Sequence, residues 1–281
     1  MNGYHKKDPH MDYKGYSLID KRSLLRGPKP TSDKFISCIG AAQTFGRWSV
    51  KSYPELLGNE IGIDAYNLSA GGYGPEDAWI DLCLDIINSS EVCIVQVPSA
   101  RCQSIPSRRL YARGSHYLEN GRVVGKSKRK AHMVRGGNRI KAGDYWKREF
   151  KTLTKSQAKS RIDEVLDLYI ESFKKLFSKI KVPTILLYIG RNPPIDEDSH
   201  DFRHPFQSRG PIGTFPHFVT KSTINRLCEL SDRYVEYVHG EIDAPVIRNG
   251  RPFRNGYYPT QDMYETLAKK LSPVVKNIIE T

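Results

Sequence analysis

The sequence predicts an α/β fold: a three-layer sandwich around a five-stranded parallel sheet, with helices on both faces. Short apolar runs alternate with segments of helical periodicity along the chain, which is typical of βαβ units. The run at 92–97 is continuously apolar, as strands buried on both faces are. A length of 281 residues is enough for one large domain with a sizeable core.

Five apolar runs are predicted strands, and the segments between them carry helical patterns. The pattern at 53–62 ends at Gly62, a residue type that commonly terminates helices. In the pattern at 75–90, Pro75 is placed at the first helical position, with acidic residues directly behind it. Apolar residues spaced by three and four predict a long helix over 155–180. The predicted strands are 35–40, 63–69, 92–97, 182–190 and 234–238, and further helices are predicted near 219–231 and 260–279.

The chain is predicted to consist of an N-terminal arm and a single α/β domain with an insertion. Residues 1–34 are polar and contain Pro and Gly, which predicts an irregular arm. The domain covers 35–281, and a basic insertion interrupts it at about 102–152. Within the insertion, HYLENGRVVG at 116–125 places Asn-Gly between two β-prone runs, which predicts a hairpin. The predicted long loops are 191–217 and 239–258.

The net charge of +13 is concentrated in the insertion. Residues 101–151 hold 15 Lys and Arg against 3 Asp and Glu, so this segment carries +12 and the rest of the chain is close to neutral. Such a segment favours an anionic partner: a phosphorylated cofactor, an acidic glycan, an acidic lipid surface or nucleic acid. The alternative is a solvated insertion whose charge aids solubility.

Cysteine usage and hydropathy favour a reducing, cytoplasmic compartment. The five cysteines are an odd number and include no Cys-x-x-Cys pair, so most are expected to be small core residues. No apolar run approaches the roughly 18–20 residues of a membrane span, and no transmembrane segment is expected. The N-terminal residues lack the apolar core of a secretory signal. The cysteines are Cys38, Cys83, Cys93, Cys102 and Cys228.

Three loops that directly follow predicted strands form the predicted site. The loops are GAAQTFG (40–46), NLSAGGYGPEDA (67–78) and VQVPSARCQS (95–104). Ligands of open parallel sheets bind beyond the carboxyl ends of the strands, so we expect these loops to meet at one site. Each loop also has a purely structural alternative, a satisfied turn or close packing. The candidate ligand-binding residues are Gly40, Gln43, Thr44, Gly46, Asn67, Gly72, Gly74, Gln96, Ser99 and Arg101.

The same loops resemble the conserved blocks of the SGNH (GDSL-like) hydrolase superfamily. The first block of that superfamily is GDSxTxG, and Gly40, Thr44 and Gly46 match it. NLSAGGYGP resembles the second block, whose glycine donates to the oxyanion hole, and Gly72 is the match. The resemblance covers roughly 35–100 and 180–280, and it implies a three-layer α/β sandwich with a five-stranded parallel sheet of the flavodoxin-like kind.

The catalytic residues of that superfamily are replaced by other residue types in this chain. Ala42 stands at the nucleophile position, Tyr258 at the His position and Asn255 at the Asp position. A serine nucleophile needs a base, and the base needs an orienting group, so hydrolysis by the superfamily mechanism is not expected. His204 or His217 could replace the missing base.

A closer resemblance is to uncharacterised bacterial SGNH-like domains of unknown function that lack the catalytic residues. This resemblance implies a loose connection with bacterial surface-polysaccharide synthesis and with glycan modification by acyl or sulfuryl transfer. Tyr264 stands where the pattern of these domains often has His. The matching segments are RGPKP (26–30), GAAQTFGR (40–47), GGYGP (71–75), VQVPSAR (95–101) and YYPTQDMY (257–264).

Several motifs that suggest other functions are disfavoured. GRVVGKS (121–127) is one residue short of a P-loop and lies on the predicted hairpin. KSKRK (126–130) lacks the closely spaced aromatic residues of a nucleic-acid interface. His200, His204 and His217 lack the spacing of metal ligands, so no metal site is expected.

Two functional hypotheses follow. In the first, the protein is a transferase that uses an activated donor such as acetyl-coenzyme A or a sulfate-donor nucleotide, with an acidic glycan or another anionic small molecule as partner. Gln43, Tyr258 and Arg101 would then bind and orient the substrates without a covalent serine. In the second, the chain is a catalytically inactive module that binds an anionic glycan or a protein partner. Nucleic-acid binding is a distant third.

Overall fold

The computed structural model describes residues 3–18, 24–106, 110–111, 116–119, 138–196, 199–202, 204–207, 210–248 and 250–281. Within these ranges every helix is too short or too polar to span a lipid bilayer. The helices are α1 (Gly3–Lys7), α2 (Ala42–Phe45), α3 (Tyr53–Ile61), α4 (Ala78–Asn88), α5 (Ala142–Thr152), α6 (Lys155–Phe177), α7 (Lys221–Cys228) and α8 (Gln261–Ile279). The strands are β1 (Tyr16–Ser17), β2 (Leu24–Leu25), β3 (Phe35–Ile39), β4 (Asp64–Asn67), β5 (Cys93–Gln96), β6 (Leu110–Tyr111), β7 (His116–Glu119), β8 (Asn138–Lys141), β9 (Thr184–Gly190), β10 (Arg233–Val238), β11 (Ala244–Arg248) and β12 (Arg251–Asn255).

The central sheet has five parallel strands in the order β4-β3-β5-β9-β10. All five correspond to predicted strands, so the predicted fold class is confirmed. Counted along the chain, the order is 2-1-3-4-5, the flavodoxin-like arrangement of doubly wound sheets. In this arrangement the connections leave β3 and β5 in opposite directions, and a crevice opens beyond the carboxyl ends of these two strands.

The inner strands β3, β5 and β9 are buried on both faces because helices cover each side of the sheet. Along β9, Ile185 and Leu187 pack with α3 and α8, whereas Leu186 and Tyr188 pack on the opposite side with α4, α6 and α7. This alternation is the period of two that a strand imposes on its side chains. The two apolar layers therefore form two cores, one on each face of the sheet, and give the three-layer sandwich.

The predicted irregular arm is partly ordered and packs against the domain. It contains α1 and the two-stranded antiparallel pair β1–β2. Asp8, Tyr13 and Arg26 of the arm are buried although the segment is polar. The prediction of an irregular segment was therefore wrong for α1 and the β1–β2 pair. The arm packs in this way because its polar groups are buried against partners far along the chain, as Asp8 is against Arg47.

The described part of the basic insertion also contributes to the core. The strands β6, β7 and β8 form a small antiparallel sheet, and α5 follows it directly. Tyr145 and Trp146 of α5 are buried in the core on the α6 face. The strand β7 matches the first half of the predicted hairpin, but its Asn-Gly turn, GRVVGKS and KSKRK lie outside the described residues.

Two further sequence predictions differ from the structure. Helix α4 begins at Ala78 and not near Pro75, because the carboxylate of Asp77 accepts a hydrogen bond from the Trp79 backbone N–H (3.0 Å) and caps the helix there. The predicted loop at 239–258 contains the antiparallel pair β11–β12. Its signal was in the sequence, since Asn-Gly at 249–250 separates two strand-like runs.

Candidate functional site

A cavity of about 380 Å³ opens beyond the carboxyl ends of β3 and β5, at the crevice predicted by the strand order. All three predicted loops reach it: Gln43 from the first, Gly72 from the second, and Ser99 and Arg101 from the third. The arm, the start of α5, Phe215 of the loop before α7 and the segment that precedes α8 provide the remaining walls. The cavity is therefore the candidate functional site of the chain.

The loop after β3 is shaped by a single buried side chain, Gln96. Its Oε1 accepts hydrogen bonds from the Ala41 N–H (2.9 Å), the Thr44 N–H (3.2 Å) and the Thr44 hydroxyl (2.6 Å). A Cβ on Gly40 would lie 2.3 Å from the Thr44 hydroxyl oxygen, so only glycine fits this turn. The Asn67 side-chain amide adds a hydrogen bond to the Thr44 carbonyl oxygen (2.9 Å). The buried side chains of Gln96, Thr44 and Asn67 fix the shape of the loop that forms this wall of the cavity, but they do not line the cavity themselves.

Gln43 is held in the wall by its backbone, and its side chain has no hydrogen bond within the described residues. The Tyr264 hydroxyl donates to the Gln43 carbonyl oxygen (2.7 Å). The carboxamide is 99% buried and lines the cavity, yet neither its oxygen nor its nitrogen has a hydrogen-bond partner there. Burial raises the pKa of the Tyr257 phenol, and a weak interaction with the Gln43 carboxamide, outside ordinary hydrogen-bond geometry, acts in the opposite direction. A buried amide without partners carries a desolvation cost of about 1–3 kcal/mol that a polar ligand would remove.

Ser99, His217 and Arg101 form one hydrogen-bonded row. The Ser99 hydroxyl lies 2.8 Å from Nδ1 of His217, and Nη1 of Arg101 lies 3.0 Å from Nε2 on the other side of the ring. A guanidinium can only donate, so Nε2 must accept and Nδ1 carries the proton of the neutral ring. His217 therefore donates to Ser99, and the Ser99 proton is left to donate elsewhere.

The environment of His217 keeps the imidazole neutral. Burial, and then the charge of Arg101, lower the pKa of His217 well below its ordinary value. Its backbone is also fixed, since the His217 carbonyl oxygen accepts a hydrogen bond from the Ala100 N–H (3.1 Å). In this arrangement both ring nitrogens are engaged by side chains of the third loop.

A pH dependence of stability follows from the lowered pKa of His217. The unfolded chain binds a proton at this residue below about pH 6.5, and the folded chain does not, so the contribution is complete above that pH and is lost as the pH falls. We expect the free energy of unfolding of His217→Gln to decline less steeply between pH 7 and pH 5 than that of the native chain, by up to about 1.4 kcal/mol per pH unit. Denaturant titrations at a series of pH values measure this difference.

The comparison of the two proteins separates the effect of His217 from that of the other histidines. Burial also lowers the pKa values of His5 and His239, and both residues are present in each protein, so only the difference between the two pH profiles reports on His217. Identical slopes for the two proteins would show that His217 is protonated normally in the folded chain.

Positive charge and a helix terminus face the cavity from the insertion side. Helix α5 begins at Ala142, and its N-cap residue Lys141 makes no side-chain capping hydrogen bond. The first N–H groups of a helix lack intrahelical acceptors and carry partial positive charge. Nη1 of Arg101 lies 3.8 Å from the position of a Cβ built on Gly143, so its guanidinium is beside this terminus. Among the described residues that line the cavity, Asp144 is the one carboxylate.

The arm closes the cavity from the opposite side. Tyr4 and Lys7 line it, and the buried ion pair between Asp8 and Arg47 holds them in place, with Nε of Arg47 2.8 Å from one Asp8 oxygen and Nη2 3.0 Å from the other. The Arg47 guanidinium also lies over the rings of Tyr4 and Trp48, at 4.6 and 4.3 Å from their centroids.

Asn255 and Tyr258, at the positions matched to the superfamily Asp and His, interact through the backbone of the turn that contains Tyr258. The Asn255 Oδ1 accepts from the backbone N–H groups of Tyr257 (3.0 Å) and Tyr258 (2.9 Å), and its amide donates to the Tyr258 carbonyl oxygen (2.6 Å). Asn255 therefore shapes the turn that places both tyrosines at the cavity. Ala42 also lines the cavity and has no side-chain oxygen there.

The structure separates the predicted site residues into two groups. Of the predicted ligand-binding and catalytic candidates, Gln43, Gly72, Ser99, Arg101 and Tyr258 line the cavity, and His217 contacts two of them. His204 instead pairs with Asp201 on an exposed loop. The residues that lie outside the lining are Gly40, Thr44, Gly46, Asn67, Gly74, Gln96 and His204.

Sequence reasoning missed the cavity residues that come from outside the three loops. Lys7, Lys141 and Tyr257 line the cavity, but none follows a strand of the central parallel sheet. The clustering of charge in the insertion was the only signal for Lys141. No group of three or more His, Cys, Asp or Glu residues that could hold a metal ion occurs in the part of the chain that the structure describes.

The fold and the cavity define an α/β protein of flavodoxin-like strand order with a site at its switch point whose charged lining residues are mainly cationic. The family model described as Domain of unknown function (DUF6473) matches residues 1–279, and the chain belongs to this family. No curated protein matches the chain, and neither does any solved structure.

Proposed function

We propose that the cavity binds the anionic part of a small molecule and that the protein is a transferase acting on it. The observation that carries the proposal is the Gln43 carboxamide, which is buried in the cavity wall without a hydrogen bond to the described residues. A ligand with a polar group at this point would supply the missing hydrogen bonds. Acyl and sulfuryl donors, such as acetyl-coenzyme A or a sulfate-donor nucleotide, have such groups next to anionic ones.

The charge around the cavity supports an anionic ligand. In the part of the lining that the structure describes, the cations Lys7, Arg101 and Lys141 outnumber the single carboxylate of Asp144. The start of α5 adds partial positive charge. The Ser99 hydroxyl adds a further donor because His217 already donates to its oxygen. These groups match the oxygens of a phosphate, sulfate or carboxylate.

Catalysis at this site would use positioning and charge stabilisation. Ala42 has no nucleophilic oxygen, and the His217 ring donates to Ser99 and so does not take up its proton. The acceptor hydroxyl would attack the acyl or sulfuryl group, the bond from that group to the donor sulfur or phosphate oxygen would break, and the released thiol or phosphate would take up the hydroxyl proton. Arg101, Gln43 and the Ser99 hydroxyl would stabilise negative charge as it develops on the transferred group. Tyr258 would orient the acceptor at the cavity mouth.

A relationship to the SGNH superfamily is part of the same proposal, as is a place in bacterial surface-polysaccharide synthesis. The strand order and the position of Ala42 directly beyond β3 support that relationship, because the superfamily nucleophile follows its first strand. A cytoplasmic location is also proposed, and the free state of all five cysteines supports it.

The proposal is tested by thermal unfolding in the presence of donor molecules. We expect coenzyme A, acetyl-coenzyme A or the sulfate-donor nucleotide to stabilise the native chain by about 2.7 kcal/mol at 100 times its dissociation constant. Arg101→Gln and Gln43→Leu should lose most of this response. Arg233→Gln is the matched control, since Arg233 is exposed at the amino end of β10, away from the crevice. A donor that stabilises all three variants equally would contradict the proposed site.

A second candidate function is a binding module without catalysis. The observation that favours it is His217, which contacts the lining residues Ser99 and Arg101 and whose two ring nitrogens are both engaged by them. Mass spectrometry of an acidic oligosaccharide incubated with protein and the stabilising donor separates the two candidates. Transfer of the acyl or sulfuryl group identifies an enzyme, and stabilisation without transfer identifies a binding module.

A further inference from the structure

Five aromatic rings form a continuous row from the cavity to the β11–β12 hairpin, which we call the aromatic strip. Phe215, Tyr257 and Tyr258 line the cavity, and Trp48 and Phe253 continue the row outward. Consecutive ring centroids lie 5.9 Å apart for Phe215 and Tyr257, 4.8 Å for Tyr257 and Tyr258, 5.1 Å for Tyr258 and Trp48, and 5.8 Å for Trp48 and Phe253. The strip therefore connects the candidate site with the outer surface.

The strip exposes aromatic surface in a place where packing does not require it. Phe253 is 42% exposed and Tyr257 is 38% exposed, although aromatic rings contribute most when they are buried. Trp48 has a φ of 65°, a left-handed backbone conformation that is strained for a bulky residue. Strained residues of this kind cluster at ligand-contacting sites. Exposure and strain together indicate that the strip has a ligand.

Positive charge accompanies the outer end of the strip. The Arg248 guanidinium lies over the Phe253 ring, 5.0 Å from its centroid, and Arg251 is exposed beside it. The hairpin residues 244–255 include no carboxylate, and Arg254 pairs with Asp243, just outside them. A ligand of the strip therefore combines apolar faces with negative charge.

We infer that the aromatic strip binds an anionic oligosaccharide, whose sugar at the cavity is the acceptor in the proposed transfer. The C–H face of a pyranose ring packs on an aromatic face and leaves its hydroxyl and acidic groups at the edge. Arg248 and Arg251 lie where carboxylate or sulfate groups of such a chain would pass. The acceptor role depends on the proposed function, whereas binding along the strip does not.

The ring angles favour a sugar chain over single-stranded nucleic acid. Neighbouring rings of the strip are turned by 71°, 83°, 85° and 50° relative to one another. Stacked bases need aromatic faces that follow one another in a compatible orientation. A second copy of this chain is also disfavoured, because its net charge of +13 would repel the arginines of the hairpin.

The inference is tested by binding of defined oligomers to two variants, Phe253→Ala and Arg248→Ala. The probe is a hexamer of galacturonic acid, and the comparison probes are cellohexaose, hexaglutamate and a hexamer of thymidylate. We expect each variant to weaken binding of the galacturonic acid hexamer by about fivefold or more. Both residues are exposed, and unchanged melting temperatures would verify that the variants fold.

Phe206→Ala is a closely matched control. Phe206 is 40% exposed, and the Lys147 ammonium lies 5.4 Å from its ring centroid. It therefore has the same ring type as Phe253, a similar exposure and a neighbouring cation, at another place on the surface. We expect this variant to bind the galacturonic acid hexamer as the native chain does. Equal weakening by Phe206→Ala, or none by Phe253→Ala, would overturn the inference.

The other probes and Arg101→Gln separate the remaining outcomes. Binding of hexaglutamate as tight as that of the sugar hexamer would overturn the inference, because charge alone would then suffice, and tighter binding of the thymidylate hexamer would overturn it in favour of nucleic acid. Loss of donor stabilisation in Arg101→Gln with normal binding of the sugar hexamer supports both proposals independently. If the sugar hexamer binds through Phe253 while no donor stabilises the native chain, the transferase proposal fails and the strip inference remains.

Discussion

Replacing Asp8 by Ala is expected to lower the free energy of unfolding by about 3–5 kcal/mol. The carboxylate is fully buried and makes two hydrogen bonds to Arg47 and one with the Tyr13 hydroxyl (3.1 Å). Its removal leaves the largely buried Arg47 guanidinium without a counter-charge, and this uncompensated charge is the main cost. Chemical denaturation of the native chain and the variant measures the difference.

Two comparisons make the Asp8 prediction specific. The double replacement Asp8→Leu with Arg47→Met removes both charges and should recover much of the loss, because no uncompensated charge remains. Burial acts to raise the pKa of Asp8, but hydrogen bonding and the charge of Arg47 outweigh it and hold the pKa below its ordinary value. The contribution is therefore complete above about pH 4 and is lost as the pH falls through the lower, folded-state value. A double variant as unstable as Asp8→Ala would argue against this account.

Replacing Trp146 by Ala is expected to cost about 3–5 kcal/mol and also to remove the donor response. Its ring is fully buried, packs edge-on against Phe218 (4.8 Å between centroids), and donates from Nε1 to the Arg101 carbonyl oxygen (3.0 Å). This side chain attaches α5 to the third loop, and α5 forms one wall of the cavity. Denaturant unfolding measures the first effect, and the thermal shift with donor measures the second.

Trp146→Phe and Lys151→Ala are the controls for this prediction. The phenylalanine keeps most of the buried apolar surface and should lose clearly less stability than alanine. Lys151 is exposed at the end of the same helix, so its replacement should change the free energy of unfolding by less than about 0.5 kcal/mol. A Trp146→Ala variant as stable as Lys151→Ala would mean that α5 does not belong to the folded core.

The sheet could be predicted from the sequence because its strands and caps are local signals. Each buried strand is a short apolar run, and Gly62 ends α3 in the left-handed conformation expected of a terminal glycine, with a φ of 79°. Because Gln43, Ser99 and Arg101 lie in loops that directly follow predicted parallel strands, they could be assigned to one site before the fold was known, and all three line the cavity.

The features that could not be predicted depend on contacts between distant residues. Nothing near Asp8 in the sequence shows that Arg47 will bury it, so the arm could only be described by its polar composition. The orientation of His217 was hidden for the same reason, since its partners Ser99 and Arg101 lie more than a hundred residues earlier in the chain. The β11–β12 hairpin is a different case, because the Asn-Gly pair between its two strands is a local turn signal that is present in the sequence.

The composition of the cavity walls links ligand binding to the folding of the whole chain. Tyr4 and Tyr258, from nearly opposite ends of the sequence, both line the cavity, so it is complete only when these distant segments have met. Contacts of such long sequence separation are slow to form in folding. A ligand that needs the complete cavity binds the native chain and not its partly folded forms, and mass action then raises the folded fraction. The cellular concentration of that ligand would thus help to determine how much of a destabilised variant is folded.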